Sequence, residues 1–230
     1  MLVECKNLCK SFGEKIALNN INLSIERGRI IGLLGPNGSG KTTLIKILSG
    51  LLTKSSGDVT VGGKEIGIET KKIVSYLPER TYLSEWMTVK QVIDFFKDFY
   101  EDFKEETAYG MLERLNIHPS DRLKTMSKGT KEKVQLILVM SRDAELFLLD
   151  EPIAGVDPAA RDYIIRTIIG NYNENATVII STHLISDVEH ILDEVVMIKY
   201  GCLVLHKTVD EIREESGKSV DGLFREVFAC

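Results

Sequence analysis

The run Gly35-Pro36-Asn37-Gly38-Ser39-Gly40-Lys41-Thr42-Thr43 fits G-x-x-x-x-G-K-[ST], a spacing suited to holding phosphate. Its glycines let the backbone curl until the N–H groups point inward at an anion. A helix that starts at the end of the loop adds partial positive charge. In such a loop Lys41 reaches the β- and γ-phosphates of a nucleotide, and the Thr42 hydroxyl holds Mg²⁺. Two more acidic groups, Asp150 and Glu151, close the apolar run Leu146-Phe147-Leu148-Leu149. An acid placed like Asp150 holds Mg²⁺, usually through water. A carboxylate beside it can orient and deprotonate an attacking water. His183 follows another apolar run and can hydrogen-bond a γ-phosphate from the same edge. Asp157 precedes Pro158 and reads as a helix cap, a role compatible with facing the nucleotide.

These groups need elements that bring them together. Ile30-Ile31-Gly32-Leu33-Leu34 reads as a buried parallel strand before the loop, and Leu44, Ile47 and Leu48 share one face of the helix after it. Residues 1–28 read as antiparallel strands, with strict alternation from Ile21 to Glu26 and a turn over Ser11-Phe12-Gly13-Glu14. Asp58–Gly63 rejoins that region, and Lys72–Leu77 reads as a strand stopped by Pro78. The pattern then changes to helices. Thr88 and Gln91 have capping-box spacing, and Val89, Val92, Ile93, Phe96, Phe99 and Tyr100 form a packing stripe. A second helix is expected around Met111, Leu112 and Leu115, and a third is capped by Ser127. Strands return at Leu146, Ala176, Val195 and Leu203, and Thr208 to Glu211 opens a final short helix. The expected fold is α/β: a strand–helix core with an antiparallel β region (1–83 and 141–230) and a helical insertion at 84–140.

Composition narrows the function classes. A formal charge of −5 does not advertise a nucleic-acid surface, and none is expected as a partner. Cys5, Cys9, Cys202 and Cys230 lack metal-ligand spacing and read as free thiols. The chain opens without a signal-peptide pattern and has no apolar run of bilayer length, so a membrane role is expected to come through a partner.

In this order the motifs resemble the nucleotide-binding subunit of ABC transporters over essentially the whole chain. Gly35–Thr43 is similar to that family's Walker A, Leu146–Glu151 to Walker B with its catalytic glutamate, and Ala154–Asp157 to the D-loop. Ser181-Thr182-His183 is similar to the switch-histidine loop, and Phe12 to the ring stacked on adenine. Met126-Ser127-Lys128-Gly129-Thr130 stands where the family has its signature L-S-G-G-Q, with lysine for the first glycine and threonine for the glutamine. Glu79 stands where glutamine is usual; ionised, it accepts but cannot donate, and it can serve Mg²⁺.

The resemblance implies a P-loop NTPase (RecA-like) core that binds ATP and Mg²⁺. It implies two such subunits with two ATP molecules between them, Ser127, Lys128 and Gly129 of each closing on the other's nucleotide. It also implies a transmembrane permease partner and a peripheral place on the cytoplasmic face of the membrane. The Ser-Lys-Gly-Thr signature is similar to a subset paired with ABC-2-type exporters. A soluble ABC-type ATPase acting on nucleic acid, ribosomes or cofactor assembly is the alternative reading.

Overall fold

The computed structural model of the protein describes residues 1–154, 158–171, 173 and 175–228. Its centre is a six-stranded sheet built from β3 (Ile30–Leu34), β6 (Val74–Leu77), β7 (Leu146–Asp150), β8 (Thr177–Thr182), β9 (Glu194–Lys199) and β10 (Cys202–Thr208), in the order β10-β9-β3-β8-β7-β6. All neighbours are parallel except the β9–β10 hairpin. Every residue of β3, β7 and β8 is buried, as expected of strands covered on both faces. A second sheet, order β2-β1-β4-β5, is antiparallel: β1 (Val3–Phe12), β2 (Lys15–Ile25), β4 (Ser56–Val61) and β5 (Lys64–Glu65).

Strand parity divides the interior into two apolar layers. Ile31, Leu33, Leu146 and Leu148 face the antiparallel sheet and α1 (Lys41–Leu48), whose Leu44, Ile45, Ile47 and Leu48 fill that layer. Ile30, Leu34, Phe147 and Leu149 face the opposite way. That second layer runs without interruption into α3 (Val89–Phe99), α4 (Glu105–Arg114) and α5 (Lys128–Met140), the helices between β6 and β7. Arg142, buried just past α5, ties these helices to β6. Its guanidinium grips Asp102 at 3.0 Å twice, donates at 2.6 Å to the Val74 and Lys72 carbonyls, and lies 3.9 Å from the Tyr100 ring centroid.

Four local expectations are corrected. Lys72 and Ile73 end a short helix, α2 (Ile68–Ile73), and only Val74–Leu77 is strand; Gly67 in extended conformation starts that helix, with its N–H donating to Thr70 Oγ1. Phe12 closes β1 rather than entering the turn, because it pairs with Lys15. The stripe on α3 is divided: Val89, Val92, Ile93 and Phe96 are buried, whereas Phe99 is exposed and stacks on Phe95, ring centroids 4.7 Å apart. The Thr208 capping box opens α8 (Val209–Ser216), but α8 is not final. Gly217 ends it in a left-handed turn and Ser219 caps a further helix, α9 (Val220–Val227). Between α5 and α8 lie α6 (Pro158–Asn171) and the one-turn α7 (Ile185–Val188). Cys5, Cys9 and Cys202 are free thiols, burial pushing the Cys5 thiol up to about 12, and Cys230 lies outside the described residues.

Candidate nucleotide site

The carboxyl ends of β3, β8 and β7 lie side by side. Leu34 pairs with Thr182 and Ser181 with Asp150, so the loop after β3, the histidine after β8 and the acids of β7 share one edge. Crevices at that edge are where open parallel sheets take ligands. The glycine loop is sterically obligatory there. A Cβ on Gly35 would strike the Ile198 carbonyl and the Ser39 hydroxyl. One on Gly40, at φ +114°, would come within 2.7 Å of the Ala17 carbonyl. The cleft beside the loop measures about 560 Å³. Its walls include Phe12, Asn37, Gly38, Ser39, Gly40, Lys41, Thr42, Thr43, Glu79, Glu151 and His183, together with Lys15, Ala17 and Ala154.

Parity decides where Asp150 points. It continues the Leu146–Leu148 row toward α1, and its Oδ1 accepts from the Thr42 hydroxyl at 3.1 Å and from Ser181 Oγ at 3.0 Å. By plain alternation Glu151 would face away. Instead it takes a left-handed backbone, φ +52°, fixed by N–H donation to the Ser181 carbonyl and by the Ala154 N–H on its own carbonyl. That conformation costs an L-residue about 1–2 kcal/mol. It turns the side chain back over the loop, with Oε1 3.9 Å from Lys41 Nζ and Oε2 2.9 Å from His183 Nδ1. With Nδ1–H donating to Glu151, Nε2 is the second hydrogen-bonding atom of the ring.

Lys41 is almost wholly buried and donates to the carbonyls of Gly35 at 2.7 Å and Pro36 at 3.3 Å. An ammonium has three donors, so one more bond is open to it. Burial lowers its pKa, and the charges of Glu151, Asp150 and Glu79 counter that by favouring the ammonium. Burial also raises the Asp150 pKa, opposed by its bonds from Ser181 and Thr42, while Glu79 pushes it further up and Lys41 pulls it down. Two sealed oxygens have no partner among the described residues: Ser39 Oγ and Asp150 Oδ2. A buried carboxylate oxygen left open beside a threonine hydroxyl suits a hard cation that takes oxygen ligands, so the residues fit Mg²⁺.

Most of the expected site residues converge here. Phe12 stands half exposed at the rim, with Lys10 Nζ 4.8 Å from its ring centroid. Ser127, Lys128 and Gly129 do not line this cleft. They begin α5, where the Ser127 hydroxyl caps the Thr130 N–H and Lys128 extends into solvent, 3.7 Å from Glu132. Asp157 lies outside the described residues. Sequence reasoning missed Ser181 as a partner of Asp150 and Lys15 as a wall residue; a serine ending a wholly buried strand was the available signal for the first.

Comparison with known proteins agrees with this geometry. The profile of the ABC transporter family matches residues 18–154. The lantibiotic transport ATP-binding protein SrtF of Streptococcus pyogenes is 32% identical over 91% of this chain and 92% of its own. The SkfA peptide export ATP-binding protein SkfE of Bacillus subtilis is 30% identical over 94% of this chain and 92% of its own. A solved structure of an ATP-binding subunit of an ABC transporter superposes with a TM-score of 0.89 at 28% identity, covering 99% of both chains. A phosphate loop, a paired-acid strand and a histidine brought to one sheet edge, in a chain matched end to end by such proteins, leave one assignment: the chain belongs to the ABC transporter family, as an ATP-binding and ATP-hydrolysing subunit.

Proposed function

We infer that ATP lies in the 560 Å³ cleft with its triphosphate over the Gly35–Thr43 loop and its adenine against Phe12. Thr42 and Asp150 hold Mg²⁺, with Glu79 as a further contact. Held by these residues, the ion would offset the negative charge of the triphosphate. Glu151 is the general base for the attacking water, and His183 holds that carboxylate and reaches the γ-phosphate. The observation that carries this reading is the left-handed turn at Glu151. It costs energy and brings the carboxylate, Lys41 and His183 to one place.

Subunits of this family dimerise and work with membrane-spanning partners. For this chain, the reading is a second ATP-binding subunit, identical or homologous, whose nucleotide is met by Ser127, Lys128 and Gly129. Residues 84–140 act as a helical lobe on a core formed by 1–83 and 141–230. No helix among the described residues is long and apolar enough to cross a membrane. The reading adds a permease as partner, with this subunit at its cytoplasmic face. An apolar groove of about 830 Å³ between α3 and β6, walled by Phe95, Phe99, Tyr82 and Tyr76, supplies exposed surface for that permease. The relatives named for lantibiotic transport and peptide export favour export as the direction.

Purification from detergent-solubilised membranes tests the partner. The expected result is an integral membrane protein in stable ratio with this chain, and ATP hydrolysis that Lys41→Ala abolishes by removing nucleotide binding. Recovery with nucleic acid or ribosomes and without a membrane protein would refute the transport reading.

A further inference from the structure

Glu79 follows β6 and Pro78 and lines the same cleft as Lys41, Thr42 and Glu151. It is exposed and has no hydrogen-bond or ion-pair partner among the described residues. Its charge reaches both Lys41 and Asp150. The cleft therefore presents Glu79 and Glu151 over the buried Asp150, against Lys41, whose donors are already partly committed to the loop's own carbonyls.

A carboxylate at position 79 has no N–H to offer a phosphate oxygen; it can only repel one. A divalent cation between the two reverses the sign, because carboxylate and phosphate oxygens are then both ligands. Among the described residues no three His, Cys, Asp or Glu residues converge on one point as a metal cluster. Asp150 nevertheless keeps a sealed Oδ2 without a partner, so one buried carboxylate oxygen is open to a cation. A nucleotide's phosphate oxygens would supply the further ligands such a cation takes, so that cation and nucleotide would enter together.

We propose that Glu79 makes nucleotide binding conditional on the divalent cation: the site takes the cation–nucleotide complex and turns away the bare triphosphate. An amide here would donate to bare phosphate and relax that requirement. The inference rests on the nucleotide-site reading above and deepens it, giving Glu79 the part of a selectivity residue as well as a metal contact.

The test is equilibrium binding of ATP to the full chain, without turnover, in EDTA and in saturating MgCl₂. Glu79→Gln is expected to bind ATP in EDTA about tenfold more tightly than wild type or better, as removal of one nearby like charge predicts. In MgCl₂ it binds equally or more weakly. Glu79→Asp, which keeps the charge, follows wild type in its cation requirement. ADP in EDTA shows a smaller gain, because it lacks the terminal phosphate. Equal EDTA-to-Mg²⁺ affinity ratios in wild type and Glu79→Gln would overturn the proposal. Lys41→Ala separates the two levels. If it loses ATP while those ratios are equal, the nucleotide site stands and the role of Glu79 falls. If it binds like wild type, the site reading itself fails.

Discussion

Replacing Glu151 by glutamine changes one oxygen for an NH₂ and leaves shape nearly constant, so it isolates the carboxylate's chemistry. General-base assistance is typically worth about 10²–10⁴ in rate, or about 3–5 kcal/mol of barrier. Turnover of Glu151→Gln should fall by that factor. Affinity should move the other way. Glu151 Oε1 lies 3.9 Å from Lys41 Nζ and competes with phosphate for that ammonium. At an effective dielectric of about 20 a charge pair at this distance interacts by about 4 kcal/mol. Most of this is offset, because Lys41 keeps its bonds to Gly35 and Pro36 and its burial cost returns. A tightening of ATP binding by up to about tenfold remains. Glutamine bears the same left-handed strain as glutamate, so the melting temperature should move by less than about 3 °C. Single-turnover hydrolysis, nucleotide titration and thermal melting give the three readouts. A folded Glu151→Gln protein that hydrolyses ATP within tenfold of wild type would refute the assignment of Glu151 as base.

Three further outcomes follow from other contacts. Arg142→Met strands Asp102 and the Val74 and Lys72 carbonyls, a loss of about 3–5 kcal/mol, and should lower the melting temperature by about 6–20 °C; a drop under about 2 °C would contradict the tie described for it. Phe12→Ala should weaken ATP about 5- to 150-fold through lost base stacking, with inorganic triphosphate binding unchanged; equal losses for both ligands would remove Phe12 from the base. Asp150 carries a raised pKa, so the native protein binds that proton more tightly than the unfolded chain, where Asp titrates near about 3.9. Its ionisation therefore erodes stability as pH rises from there through the raised value, and the deficit persists at neutral pH. In EDTA, Asp150→Asn should gain on wild type in melting temperature as pH rises above about 4; a constant difference would show no such linkage.

The phosphate loop, the paired acids and the histidine were legible because each sits in a local pattern: glycine spacing, or a polar residue stopping an apolar run. So were the helices opened by Thr88, Ser127 and Thr208, whose side chains accept from the N–H groups of Gln91, Thr130 and Glu211. The misplaced boundaries came from local ambiguity. Lys72 and Ile73 have strand-like chemistry, but Gly67 had already started a helix that carries them. A helix as short as α9 has too few turns for its periodicity to rise above a loop's.

What the sequence did not disclose depends on elements far apart in the chain. Nothing local to Leu77 and Pro78 says that Arg142, beyond three helices, will hold the start of their strand through the Val74 carbonyl and the end of α2 through that of Lys72. Alternation sends Asp150 toward α1, and the end of the strand leaves Glu151 free to reach the same edge, but the sequence does not say what turns it there. Ser181 does that: its carbonyl accepts from the Glu151 N–H while its hydroxyl donates to Asp150, so one residue of the neighbouring strand sets both acids. Local rules thus locate the candidate groups along the chain, and cross-strand pairing decides which way they face. The left-handed glutamate is where the second overrides the first, and it does so at the position proposed above for the general base.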